Sequence, residues 1–153
     1  MSGTAPTPRD PDFAARIRRS FARQPFMAHL GAELVSVAPG TVEIALPLRH
    51  VLTQQHGFGH AGATWAIADS AAGFAAQSLM PADRTVLTVE LKINLLAPAE
   101  GRLLARGRVE RAGRRLTVAR SDVVATGDDG TETAIATALG TFMAVEGLAE
   151  RET

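Results

Sequence analysis

The 153-residue chain contains no cysteine. It therefore has neither a disulfide framework nor a thiolate zinc site, and a reducing compartment, the cytoplasm, is the expected setting. Charge of one sign is also missing: Lys+Arg and Asp+Glu stand at 16 each. Apart from Arg114 and Arg115 with nearby Arg111, the basic residues are scattered, so a nucleic-acid surface is excluded on electrostatic grounds. No stretch reaches the roughly 18 consecutive apolar residues of a membrane span. The opening residues are proline-rich and lack the apolar segment of a secretory signal, so no membrane partner is expected. Internal repeats are absent, as is low complexity beyond an alanine bias.

What is present has the size of one domain, with 46% hydrophobic and 21% charged residues, in the range of folded globular chains. Residues 1–10 are expected to form a flexible tail, 11–147 a single domain that begins with a helix, and 148–153 a second tail. Asp12 is placed to cap that first helix, which runs to about Arg23 with Phe13, Ile17 and Phe21 on one apolar face. Residues 32–48 alternate on both sides of Pro39-Gly40, the pattern of a β-hairpin, and Pro47 marks a strand end or an edge.

Residues 54–80, QQHGFGHAGATWAIADSAAGFAAQSLM, hold the densest chemistry. A polar, glycine-rich loop opens into an alanine-rich helix in which Asp69 is the only charged side chain between His60 and Met80. An isolated carboxylate in such a helix pairs, titrates abnormally or does chemistry, because leaving it buried and unpaired costs several kcal/mol. A salt-bridged or capping Asp69 and a catalytic one are both compatible with the pattern. A helix starting near Ala61 or Gly62 aims its unpaired first N–H groups, the positive end of the dipole, at the loop, where they suit an oxyanion. The same glycines also serve simply to turn the chain. Asp69 lies about 11 Å along the axis from that end, so one subunit does not bring the two groups together.

After a break at Pro81-Ala82-Asp83, residues 84–96 alternate over a span of about 43 Å, a long curved strand. Three more strands follow at residues 102–111, 116–126 and 132–145, and their short connections require antiparallel pairing. The expected class is α+β: a long central helix, rich in small side chains, wrapped by a curved antiparallel β-sheet, which is the hot-dog arrangement.

On these residues the chain resembles the PaaI-like acyl-CoA thioesterases of the hot-dog superfamily. Their loop and helix carry Asn or Gln, then Gly, then His-Gly-Gly, with an acidic residue nine positions after the His. Gln54, Gly57, His60-Ala61-Gly62 and Asp69 stand at those places. The resemblance spans roughly residues 29–145. It implies hydrolysis of an acyl- or aryl-acyl-CoA to the free acid and CoA, without a metal or redox cofactor.

Under that resemblance Asp69 is the general base or nucleophile, and Gln54 orients the thioester or the attacking water. The N–H of Ala61, with that of Gly62, forms the oxyanion hole, and Thr88 takes the place of a water-positioning Ser or Thr. His60 supports the loop. Two positions depart from the pattern: Ala61 replaces the first Gly of the triplet, and Gln54 is a methylene longer than Asn. His29, His50 and His56 carry no signal for catalysis or metal binding.

Arg114 and Arg115 are candidates for the CoA phosphates, with Lys92 or Arg84 as substitutes. Phe58, Trp65, Phe74 and Met80 are candidates for an acyl tunnel, and they equally suit a plain core. The shared-site geometry implies a homodimer or homotetramer. The alternative is a non-catalytic acyl-CoA or acyl-ligand binding protein on the same scaffold. A hydratase needs a catalytic Asp/His pair at a different spacing, which this chain does not have.

Overall fold

The computed structural model describes residues 6–149. Two short helices, α1 (Phe13–Ala22) and α2 (Pro25–Leu30), precede a hairpin of β1 (Glu33–Ala38) and β2 (Thr41–Pro47). A 3-10 turn at His50–Leu52 and the polar loop lead into α3 (Ala61–Gln77). The strands β3 (Arg84–Leu95), β4 (Arg102–Ala112), β5 (Leu116–Thr126) and β6 (Glu132–Glu146) complete the chain. The six strands form one antiparallel sheet in the order β1-β2-β4-β5-β6-β3.

Register shifts interrupt the ladders between β1 and β2, β3 and β6, β4 and β5, and β5 and β6. Each such bulge bends its strand and increases local twist, so the sheet curls over α3. The helix meets that concave face with small side chains: Ala68, Ala71, Ala72, Ala75 and Ala76 are all fully buried. The closest approach is at Gly107 on β4, where an added Cβ would stand 2.2 Å from the Ala71 carbonyl oxygen. Alanine thus supplies helicity and lets the sheet come close in the same stretch.

Several expectations need correction. Asp12 occupies the cap position of α1 but makes no side-chain cap bond, because its backbone (φ −97°, ψ 16°) is not extended. Asp10 accepts the Asp12 N–H at 2.9 Å and pairs with Arg16 at 3.0 Å. Asp10 is buried, so the expected loose segment does not extend through it; residues 1–5 and 150–153 lie outside the described residues.

The sequence reading also passed over α2, although Pro25 opens it and Gly31, at φ 77°, closes it. That is the usual proline-first, glycine-last signature of a short helix. Arg16 ties α1 beneath the end of α3, donating to the carbonyls of Met80 (3.1 Å), Pro81 (2.9 Å) and Arg84 (2.9 Å). It also donates to the carbonyl of Gln77, the last residue of α3, at 3.3 Å, where a cation suits the negative end of the helix. Pro47 ends β2 as expected, though β2 lies inside the sheet; β1 and β3 are the two edges.

Candidate active site

The loop before α3 is held by its backbone. Gln54 N–H bonds the Phe58 carbonyl, Gly59 N–H the Ala99 carbonyl and His60 N–H the Leu52 carbonyl, each at 2.8 Å. Gly57 sits at φ 88°, where side chains are disfavoured, so it closes the turn. The Gln54 side-chain oxygen accepts from the His56 N–H, which leaves its NH2 group as the free end. Gln54, Phe58 and Ala61 line a hollow of about 370 Å³ with Leu96 and Pro98.

His60 caps α3: its Nδ1 accepts the Gly62 N–H at 2.9 Å. The expectation that Gly62 joins Ala61 as an oxyanion donor is therefore corrected, since the ring two residues back already takes that proton. The Ala61 N–H has no partner among the described residues. It is the open donor at the positive end of α3. His60 acts on the helix start itself.

Asp69 is half-buried on the face of α3 that carries Trp65 one turn earlier. Its Oδ1 accepts from the Thr88 hydroxyl at 2.8 Å, and its second oxygen is unpartnered among the described residues. Burial raises the Asp69 pKa above the usual carboxylate range, and the Thr88 bond pulls it part of the way back. Thr88 was expected to position water. Its single proton is instead given to Asp69, so it can meet a water only as an acceptor. In Thr88→Val the Asp69 carboxyl is expected to titrate at higher pH than in the native chain, as read by 13C NMR. A lower or unchanged value would contradict the assigned hydrogen bond.

Asp69 stands where two grooves meet. One, about 240 Å³, runs between α3 and β3 past Gly73, Gln77 and Thr85. The other, about 380 Å³, lies between α3 and α2. Gln54 and Ala61 line neither of them. Eight residues of helix put Ala61 and Asp69 about 12 Å apart along the axis, too far to act on one carbonyl.

The residues proposed for an acyl tunnel separate. Phe74 and Met80 are core, Phe74 meeting Phe21 edge-on at 6.1 Å between ring centres. Phe58 belongs to the loop hollow and Trp65 to the α2 groove. Arg114 and Arg115 are exposed and share a hollow of about 460 Å³ with Arg9, Arg84 and Glu146. Arg84 pairs with Glu146 at 2.5 Å. The sequence reading missed Arg9 here, because only folding brings residue 9 beside residue 114. Among the described residues no group of three or more His, Asp or Glu could hold a metal ion, and no helix is long and apolar enough to cross a membrane.

A family model described as the thioesterase superfamily matches residues 56–132. A Halobacterium salinarum protein that carries an esterase designation is 31% identical over 142 residues, covering 87% of this chain and 93% of that one. The crystal structure of a thioesterase family protein from Silicibacter pomeroyi superposes with a TM-score of 0.85 at 51% identity, covering 88% of this chain and 99% of that chain. The PaaI protein from the phenylacetic acid degradation operon of Escherichia coli shares the fold at 17% identity, with a TM-score of 0.79 over 91% of this chain and 97% of that one.

Proposed function

The chain belongs to the thioesterase superfamily, and on that premise we propose that it hydrolyses an acyl-CoA thioester to the free acid and CoA. The observation that carries the proposal is the half-buried Asp69 carboxylate, held by Thr88 at the meeting of two grooves. Asp69 takes a proton from water as that water attacks the thioester carbonyl carbon. The developing oxyanion is received by an Ala61 N–H at a helix start, where a fixed donor lowers the barrier. The tetrahedral intermediate then expels the CoA sulfur, which leaves with the proton held on Asp69.

Because Ala61 and Asp69 of one chain are too far apart, the donor comes from a second copy, and the working unit is a homodimer or a multiple of it. The free edge at β3 supports this reading. Leu87 (45% exposed) and Val89 (55%) lie on β3, which pairs with β6 on one side and with no strand on the other among the described residues, and an open apolar edge of this kind favours pairing. Replacing both by Lys is expected to give a monomer by light scattering and to remove turnover although Asp69 is intact. A monomeric native chain with full activity would overturn the shared site.

Arg9, Arg84, Arg114 and Arg115 are proposed to meet the phosphates of CoA. Arg84 and Thr88 lie on the same face of β3 four residues apart, about 13 Å, which separates the phosphates from the reacting carbon as an extended thiol arm requires. A binding module without turnover would leave the desolvated carboxylate unexplained. The test is thiol release, trapped colorimetrically, over short, medium, long and aromatic acyl-CoAs. Absence of release from the whole panel would reject hydrolysis.

A further inference from the structure

Among the described residues, Gln24 and Ser70 join Asp69 in lining both the groove along β3 and the groove beside α2. Ser70 is engaged, its hydroxyl donating to the Met27 sulfur at 3.7 Å. Gln24 lies in the two-residue link between α1 and α2. Its backbone is fixed: the N–H donates to the Phe21 carbonyl and the carbonyl accepts the Ala28 N–H, each at 3.1 Å. Pro25 after it favours the extended conformation it adopts. Gln24 stands at the cap position of α2 but makes no side-chain cap bond, and its amide oxygen is shut off from solvent with no hydrogen-bond partner among the described residues. An acceptor kept in this way loses its hydration without a replacement bond, a cost that an apolar side chain of similar shape does not carry. Gln24 is thus, with Asp69, a second polar side chain held where the two grooves meet against the stability of the fold.

We propose that Gln24 is a further residue of the hydrolytic site, which holds the attacking water in line through its amide NH2 group. The inference rests on the thioesterase reading and adds the group that orients the nucleophile. Because the amide oxygen is the enclosed end, the NH2 end is the one turned toward the grooves, and it has no partner among the described residues. Around a water beside Asp69 the donors and acceptors then match. One water hydrogen goes to the unpartnered Asp69 oxygen. The other goes to the Thr88 hydroxyl oxygen, which can only accept because its own proton is on Asp69. Gln24 donates to one lone pair of the water oxygen. Three hydrogen bonds leave a single lone pair, and that pair forms the new bond to the carbonyl carbon. As it forms, the proton on the Asp69 side passes to the carboxylate, the other stays on the new hydroxyl, and the carbonyl π electrons move to the oxygen that the Ala61 N–H receives. Without Gln24 the two lone pairs are equivalent, and the water turns between a productive and an idle orientation.

Gln24→Met keeps the length of the side chain and removes the amide. Thiol release by the full-length variant and native proteins is compared with acetyl-, octanoyl-, palmitoyl- and benzoyl-CoA, on the upper plateau of the pH profile. The kcat of Gln24→Met is expected to fall roughly ten- to hundredfold, as for a reactant no longer held in line. Its KM should stay within about twofold of the native value, because Gln24 touches the water and not the acyl-CoA. The melting temperature should be no lower than that of the native chain, and the 13C titration of the Asp69 carboxyl should not move, since Gln24 does not bond to it. Gln24→Glu keeps the acceptor but loses the NH2 donors, so it should show the same loss of kcat on its own plateau.

A native kcat in Gln24→Met overturns the inference and leaves the hydrolase reading standing. A raised KM with unchanged kcat does the same, by making Gln24 a wall for the substrate, and so does a shifted Asp69 titration, by making it a partner of the carboxylate. A native kcat in Gln24→Glu overturns the donor assignment in favour of the amide oxygen. Absence of thiol release by the native chain from all four substrates rejects hydrolysis itself, and the inference with it.

Discussion

Asp69→Asn is expected to lower kcat/KM for acyl-CoA hydrolysis by about two to four orders of magnitude, the usual range for losing a general base, while thermal stability at neutral pH is at least that of the native chain. The two halves of this expectation come from one cause. Burial raises the Asp69 pKa, with the Thr88 hydrogen bond opposing. The folded chain therefore binds this proton more tightly than the unfolded chain does. Between the ordinary carboxyl pKa and the raised folded value, the folded state carries the extra proton, so stability falls as pH rises through that window.

Above that window the ionised carboxylate is a standing cost, and Asn removes it while keeping an oxygen for Thr88. The activity of the native enzyme should run the opposite way, rising with pH as Asp69 ionises. Thermal melts and pH profiles of kcat/KM on the native and variant proteins check both. Full turnover in the variant, or a large drop in melting temperature, would contradict a carboxylate retained for chemistry at the expense of stability.

Gly107→Ala is expected to be the most damaging single methyl in the chain. Its Cβ would lie 2.2 Å from the Ala71 carbonyl oxygen, 2.3 Å from the Ala71 carbonyl carbon and 2.6 Å from the Ala72 nitrogen. All three are helix backbone, which cannot turn aside as a side chain can. Either α3 moves off the sheet or β4 bends away, and overpacking of this kind costs about 3 kcal/mol or more.

The effect should reach the site as well, because α3 carries Asp69 while β3 carries its partner Thr88. Denaturant melts should show a large loss of stability, and any folded fraction should show a raised KM. A variant of native stability would mean that the helix and sheet are not in the contact described. Gly57→Ala makes a useful comparison: its added Cβ meets nothing within 4 Å, though its φ of 88° disfavours a side chain.

Much of this architecture was legible in the pattern of residues. The alternation around Pro39-Gly40 and over residues 84–96 marked strands, since a period of two is set by the pleat and needs no knowledge of the partner. The alanine run marked a helix that must be approached closely from several sides. Asp69 stood out because no other side chain along the helix is charged. Two readings failed on local geometry that the residue pattern does not fix. Gly62 looked like an oxyanion donor until His60 was found on its N–H, and Asp12 looked like a cap until its backbone proved not to be extended.

By itself the sequence determined the order of the strands and of the long helix, the antiparallel class, the helix start and the one carboxylate set apart from every other charge. These follow from local periodicity and from the high cost of burying an unmatched charge. Only the tertiary structure decided that Thr88 holds Asp69, that Phe74 and Met80 are core while Trp65 faces a groove, and that Arg9 lies near Arg114. It also placed β3 at an open edge. Each of these is a contact or a vacancy between residues distant in the chain, set by how a bulged sheet curls over α3.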